Sequence, residues 1–336
     1  MDPDSVADAD RVPHGSSDAP DVVDLSANVN PETPSGTREV YGAALAEARS
    51  YPDDGYPAFR AAAADAVDCA PERVVPTAGG LDAIRLAVAV TVAPGDSVLL
   101  PAPAFGEYAR EVDLAGGDPC FVPQADLLGA DPASHAMAVV CTPNNPTGDC
   151  PDPEAIRSFA DRCADADTVL VVDEAFLGFT DRPSVAGRRG VVVVRSLTKL
   201  FGLPGLRAGF AVATGDPLDR LRTARRTWSL GAPAAAVGAH VMRDDAFVAE
   251  TRRRVDRERA ALREGLEERG FDVHPSAAPF LLCDVGRDPS DLLAHCRERG
   301  VVLRDATTFR GLDSHVRIAV RDRAATDALF DALDAL

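Results

Sequence analysis

The stretch VVVVRSLTKLFGLPGLR, residues 191–207, decides how this chain is read. It opens on four consecutive valines, which suit a strand buried on both faces of a parallel sheet. It then runs directly into Ser-Leu-Thr-Lys. Lys199 is the only lysine among 336 residues, and arginine fills every other of the 35 Lys and Arg positions. A composition that dispenses with lysine elsewhere makes the one survivor informative. A guanidinium stays protonated, whereas a lysine amine can lose its proton and attack a carbonyl.

Working outward, apolar runs alternate with helical patterns. RVVPTAGG, SVLLPAPAF, AMAVVCTP and TVLVVD read as strands. EVYGAALAEA, GYPAFRAAAADAV, LDAIRLAVAVTV, EYAREVDLAGG and PEAIRSFADRCA read as helices. The expected fold class is therefore α/β, a mostly parallel sheet flanked by helices. A polar helix over 244–270 leads toward a second, smaller α/β unit with FLLCDV, VVLRDA and HVRIAV as strands. Residues 1–20 are polar and read as a mobile arm. The expected organisation is an N-terminal arm at 1–35 packing with the small domain, a large domain at 36–228 and a small domain at 229–336.

Bulk properties exclude several classes. A net charge of −18 argues against a nucleic-acid or anionic-membrane surface, since both need a basic patch. The spread of acidic residues, with Arg replacing Lys, suggests a salt-adapted cytoplasm, although GC-rich coding would also favour Arg and Ala over Lys. The seven cysteines form no C-x-x-C pair and no metal-ligand spacing, so they read as reduced thiols with no metal site. No apolar run has the length a membrane helix needs.

In open α/β sheets, ligands sit at the carboxyl ends of the strands. Here those ends carry PTAGGLD, PAPAFGEY, CTPNNPTG, DEAF and SLTK. Together they offer backbone N–H groups, an aromatic ring, an amide, a carboxylate and a lysine. That set fits pyridoxal 5′-phosphate (PLP), which needs an amine for its aldehyde, an acid for its ring nitrogen and anchors for its phosphate.

NNPTG, DEAF and SLTK…GLR, in this order, resemble the aspartate-aminotransferase fold of PLP enzymes, the class I/II aminotransferases, over about residues 20–336. The resemblance implies that Lys199 is the Schiff-base lysine and that Asp173 pairs with the pyridinium nitrogen. It implies that Asn145 donates to the ring phenolate and that Phe105 stacks on the ring. Ser196, Arg207 and the backbone of Gly80 and Leu81 would hold the phosphate. Tyr51 would reach the phosphate of a partner subunit, which makes a homodimer with shared active sites. Arg317 would clamp the substrate α-carboxylate.

Within the fold, the chain is similar both to threonine-phosphate decarboxylases and to histidinol-phosphate aminotransferases, and either handles a small phosphorylated amino compound. DLSANVNP, VPHG, FGEYAR and Arg321 lean toward the decarboxylases. So does Phe176, which lacks the hydroxyl that many aminotransferases present to the phenolate. Leu81 and PTAGG depart from the family's phosphate turn. The resemblance further implies that Arg304 binds the substrate phosphate, that His14 joins from the partner's arm, and that Asn30 lines the same pocket. A catalytically idle, effector-binding use of the fold would need an attached DNA-binding domain, for which the short acidic arm is no candidate.

Overall fold

The computed structural model describes the chain except residues 9, 18 and 20. A short helix α1 (Pro3–Asp8) and strand β1 (Val23–Asp24) precede α2 (Thr37–Glu47) and α3 (Pro57–Ala66). Strands and helices then alternate: β2 (Val74–Thr77), α4 (Gly80–Thr91), β3 (Ser97–Ala102), α5 (Glu107–Leu114), β4 (Asp118–Pro123), β5 (Met137–Cys141), α6 (Pro153–Asp165), β6 (Val169–Asp173), β7 (Val191–Ser196), β8 (Gly209–Val212), α7 (Gly215–Ala224) and α8 (Ala232–Val241). The long α9 (Asp245–Glu268) leads to β9 (Asp272–Val273), β10 (Phe280–Asp284), α10 (Ser290–Glu298), β11 (Val301–Val302), β12 (Arg304–Asp305), β13 (His315–Ala319) and α11 (Arg323–Asp334).

Seven strands form the main sheet in the order β2-β8-β7-β6-β5-β3-β4. Every neighbouring pair is parallel except those of β8, which runs against both β2 and β7. Sequence reading misses β8 because GFAV is only four residues long and follows the Arg207 turn almost at once. The valines of β7 explain the unbroken apolar run. Val191 and Val193 point into one core with Phe59, Ile156 and Phe159, while Val192 and Val194 point into the other with Ile84, Val88 and Val112. Alternate side chains face opposite sides of a sheet, so a strand covered on both sides must be apolar at every position.

The second lobe is an antiparallel sheet, β12-β13-β10-β9, covered by α9, α10 and α11. β1 pairs in parallel with β11, so the segment after the arm is sewn to this lobe. The arm itself is docked rather than free: α1 packs on α5, and Asp2 N–H donates to Leu114 O at 2.8 Å. The domain boundary also differs from the expected break after residue 228. Helix α8 packs on α2 and α3, where a methyl on Gly238 would overlap the Phe59 ring. The crossover falls instead in α9. Its polar composition marked it as the bridge, while Ala-rich α8 gave no sign of which lobe it joins. Among the described residues no helix is long and apolar enough to cross a membrane.

Candidate active site

Strands β7, β6, β5, β3 and β2 all run in one direction, so the loops after Ser196, Asp173, Cys141, Ala102 and Thr77 emerge along a single edge. A cavity of about 270 Å³ lies there, closed on its far side by the small lobe. Phe105, Asn145, Asp173, Phe176, Lys199, Arg304 and Arg317 line it, together with residues 12–15 of the arm.

Asp173 ends β6 and is buried. It accepts from the Tyr108 hydroxyl at 2.7 Å and from Ala175 N–H at 2.9 Å. Burial raises its pKa, against the pull of those two hydrogen bonds. Its neighbour Glu174 points the other way and anchors the following loop through Ser184, Val185 N–H and Arg195. Lys199 stands after β7. Burial, and then the Arg317 guanidinium, push its amine from an ordinary 10.5 down to about 8, with Asp173 pulling upward.

Arg317 on β13 donates to the Asn145 side chain and to Ser26 O. Its Nε is buried without a partner. Arg304 is the directly opposed residue on β12. It donates to Pro13 O at 2.7 Å and to the Thr308 hydroxyl at 2.8 Å. Neither arginine ion-pairs with an acid among the described residues. Burial and the Arg304 charge push Arg317 down to about 9. Two adjacent buried cations without an acid are costly until anions arrive.

The residues expected to hold a phosphate lie beside this cavity. Gly79 (φ 105) turns the chain into α4, whose first residues are Gly80 and Leu81. A Cβ on Gly79 would stand 2.8 Å from Arg207 Nη2, so glycine leaves that space open. Ser196 flanks Gly80, and Arg207 is held by Pro204 O at 3.2 Å. A helix N-terminus, a hydroxyl and a guanidinium suit a phosphate. Leu81 and Arg207 line a neighbouring space of about 420 Å³ that shares Val12 and His14 with the first.

Two expectations are corrected. Asn30 does not line the cavity. It is buried at the turn before α2, where its amide donates to Leu200 O at 2.7 Å and its carbonyl accepts from Arg254 and Glu32 N–H. Asn28 lines the cavity in its place, with a buried Oδ1 that has no partner. His14 lies over the cavity of its own chain, bonded to Glu107 at 2.9 Å, rather than arriving from a partner. Tyr51, expected at the phosphate of a partner subunit, touches none of its own chain's cavity; it is 77% exposed and stacks on Trp228 at 4.1 Å. Arg321, a marker of kinship only, donates to Asp24 O and steadies β1.

Tyr108, Asn28 and Phe309 were missed. Tyr108 had a signal: it lies three residues after Phe105, and the two rings meet edge-on at 5.6 Å.

The residues present fit PLP. A buried acid awaits a cation, an amine is held near neutrality, and a glycine cradle faces an arginine. The family described as "Aminotransferase class I and II" matches residues 20–333. A histidinol-phosphate aminotransferase of Symbiobacterium thermophilum is 31% identical, covering 93% of this chain and 91% of its own. A threonine-phosphate decarboxylase of Salmonella typhimurium is 29% identical, covering 93% and 90%. The crystal structure of L-threonine-O-3-phosphate decarboxylase from Porphyromonas gingivalis matches with TM-score 0.82 at 25% identity, covering 92% of this chain and 100% of that one. The chain belongs to the class I and II aminotransferase family and is a PLP-dependent enzyme of that kind.

Proposed function

We propose that this chain is a PLP-dependent carboxy-lyase that converts L-threonine O-3-phosphate to (R)-1-aminopropan-2-ol phosphate, a step of cobamide (cobalamin) biosynthesis. The observation that carries the reading is the buried Arg304–Arg317 pair in the same cavity as Lys199. Two side-by-side cations call for two anionic groups held close together. A carboxylate and a phosphate ester on adjacent carbons supply them. Arg317, beside Asn145, takes the carboxylate, and Arg304 takes the phosphate. Phe176 adds support, since it brings a ring without a hydroxyl where many aminotransferases have a tyrosine.

When bound, PLP supplies an electron sink for the bond broken at the substrate's α-carbon. Lys199, partly neutral near neutral pH, takes up a proton and returns it to that carbon. The carboxyl group leaves as CO2 and one proton replaces it. Asp173, held by Tyr108, offers its carboxylate to the ring nitrogen. Phe105 walls the cavity, and residues 12–15 of the arm limit water.

A homodimer belongs to the same reading. Tyr41, Leu45, Tyr51 and Trp228 are exposed large apolar side chains, and Tyr51 would reach the partner's cofactor phosphate. The second reading, a histidinol-phosphate aminotransferase, is favoured by the relatives of that name. Its dicarboxylate co-substrate would also satisfy two arginines. The test is incubation of holoenzyme with L-threonine O-3-phosphate and no 2-oxo acid. CO2 release is expected. Amino exchange between histidinol phosphate and 2-oxoglutarate, with no CO2, selects the second reading. Cofactor binding with no product from either marks an idle binding module.

A further inference from the structure

A series of cations and rings runs through and behind the cavity wall. Lys199 Nζ stands 5.9 Å from the centre of the Phe176 ring, and Phe176 meets Phe280 edge-on at 5.1 Å. Arg317 lies 5.2 Å over Phe280 and 5.8 Å over Phe309. Arg304 lies 5.4 Å over that same Phe309 ring. Phe309 is therefore shared by both arginines. Directly opposed residues on antiparallel strands hold their Cβ atoms about 5 Å apart, so the two guanidiniums repel unless something separates them. No acid does so among the described residues. The negative face of an aromatic ring attracts each cation instead.

The ring is fixed from behind. Phe309 packs with Leu282, Ala306 and Leu312. The turn Ala306–Thr308 that delivers it is capped by the Asp305 side chain on Thr307 N–H at 2.9 Å. The same turn delivers the Thr308 hydroxyl to Arg304 at 2.8 Å. One short segment thus orients Arg304 by a hydrogen bond and offers one ring to both arginines.

We infer that Phe309 is a positioning residue: by stacking on both guanidiniums it sets their separation, and so selects substrates whose phosphate ester sits one carbon from the amino-bearing carbon. The inference rests on the proposed function for a phosphorylated amino substrate, but not for which reaction follows. An aliphatic side chain would fill much of the same volume without offering a negative face.

The test compares wild-type, Phe309→Leu and Phe309→Tyr holoenzymes on O-phospho-L-threonine and on O-phospho-L-homoserine, whose phosphate is one carbon further out. In Phe309→Leu, KM for phosphothreonine rises roughly 10-fold while kcat stays within about twofold, and the preference over phosphohomoserine narrows by the same factor. Phe309→Tyr keeps the ring and restores both. An unchanged KM, equal losses on both substrates, or a tyrosine variant as poor as the leucine one overturns the inference. If Phe309→Leu does not fold, Phe309→Met takes its place. If the wild type transaminates histidinol phosphate instead, the decarboxylase reading falls and KM of the variants is read on 2-oxoglutarate, the co-substrate that carries two anionic groups. The same KM rise there sustains the spacing role, and its absence overturns it.

Discussion

The amine of Lys199 should titrate near pH 8 in the cofactor-free protein. Its ordinary value is 10.5, and burial with the Arg317 charge pushes it to about 8. A displacement of that size is worth about 3 kcal/mol against the charged form. At pH 7.5 roughly a quarter of such amines are neutral, against about one in a thousand for an exposed lysine. Because the chain holds a single lysine, trace acetylation followed by mass spectrometry reads this amine without interference. The N-terminal amine is resolved on a different peptide. Labelling across pH 6–11 should rise with a midpoint near 8. Arg317→Met should move the midpoint up, since that guanidinium lowers it, and Asp173→Asn should move it further down. The same shift fixes the sign of a stability effect. The folded-state value lies below the unfolded one, so the folded protein binds fewer protons between pH 8 and 10.5. Stability of the cofactor-free protein should rise with pH across that window, and Lys199→Met should flatten the rise. A midpoint near 10.5 would rule out the buried, cation-flanked placement on which the chemistry depends.

Other expectations follow from neighbouring contacts. Asp173→Asn removes the buried acid and should cut kcat by about 10²-fold or more while the chain stays folded, as judged by circular dichroism and single-turnover rates. Tyr108→Phe deletes the 2.7 Å hydrogen bond to Asp173 and should cost about 1.5–3 kcal/mol in cofactor-dependent turnover, with a displaced pH–rate profile as the check. Gly79→Ala places a methyl 2.8 Å from Arg207 Nη2 at a backbone φ of 105°, so both thermal stability and PLP affinity measured by equilibrium dialysis should fall.

Much of the fold was legible because each buried strand is apolar at every position, as in VVVV of β7 and VLVV of β6. The residues at the carboxyl ends of those strands were legible for the same reason: once the strands are placed, the topology brings their loops together. What failed depends on turns. Asn28 and Asn30 are two apart and would share a face on a regular strand, but Val29 N–H bonds back to Ala27 O and the chain bends between them. One asparagine therefore faces the cavity while the other faces Leu200 and Arg254. The arm was read as mobile from composition alone, yet its capture depends on distant partners such as Glu107 and Arg304. Phe309 was invisible because its role depends on two arginines paired across strands, a relation that spacing along the chain does not encode.

The central claim is that Lys199 carries the cofactor. Borohydride reduction of the holoenzyme, followed by proteolysis and mass spectrometry, tests it most directly. The account predicts a phosphopyridoxyl adduct on the peptide containing Lys199 and none after Lys199→Ala. An adduct on the N-terminal amine alone, or an adduct that survives in the alanine variant, would contradict it.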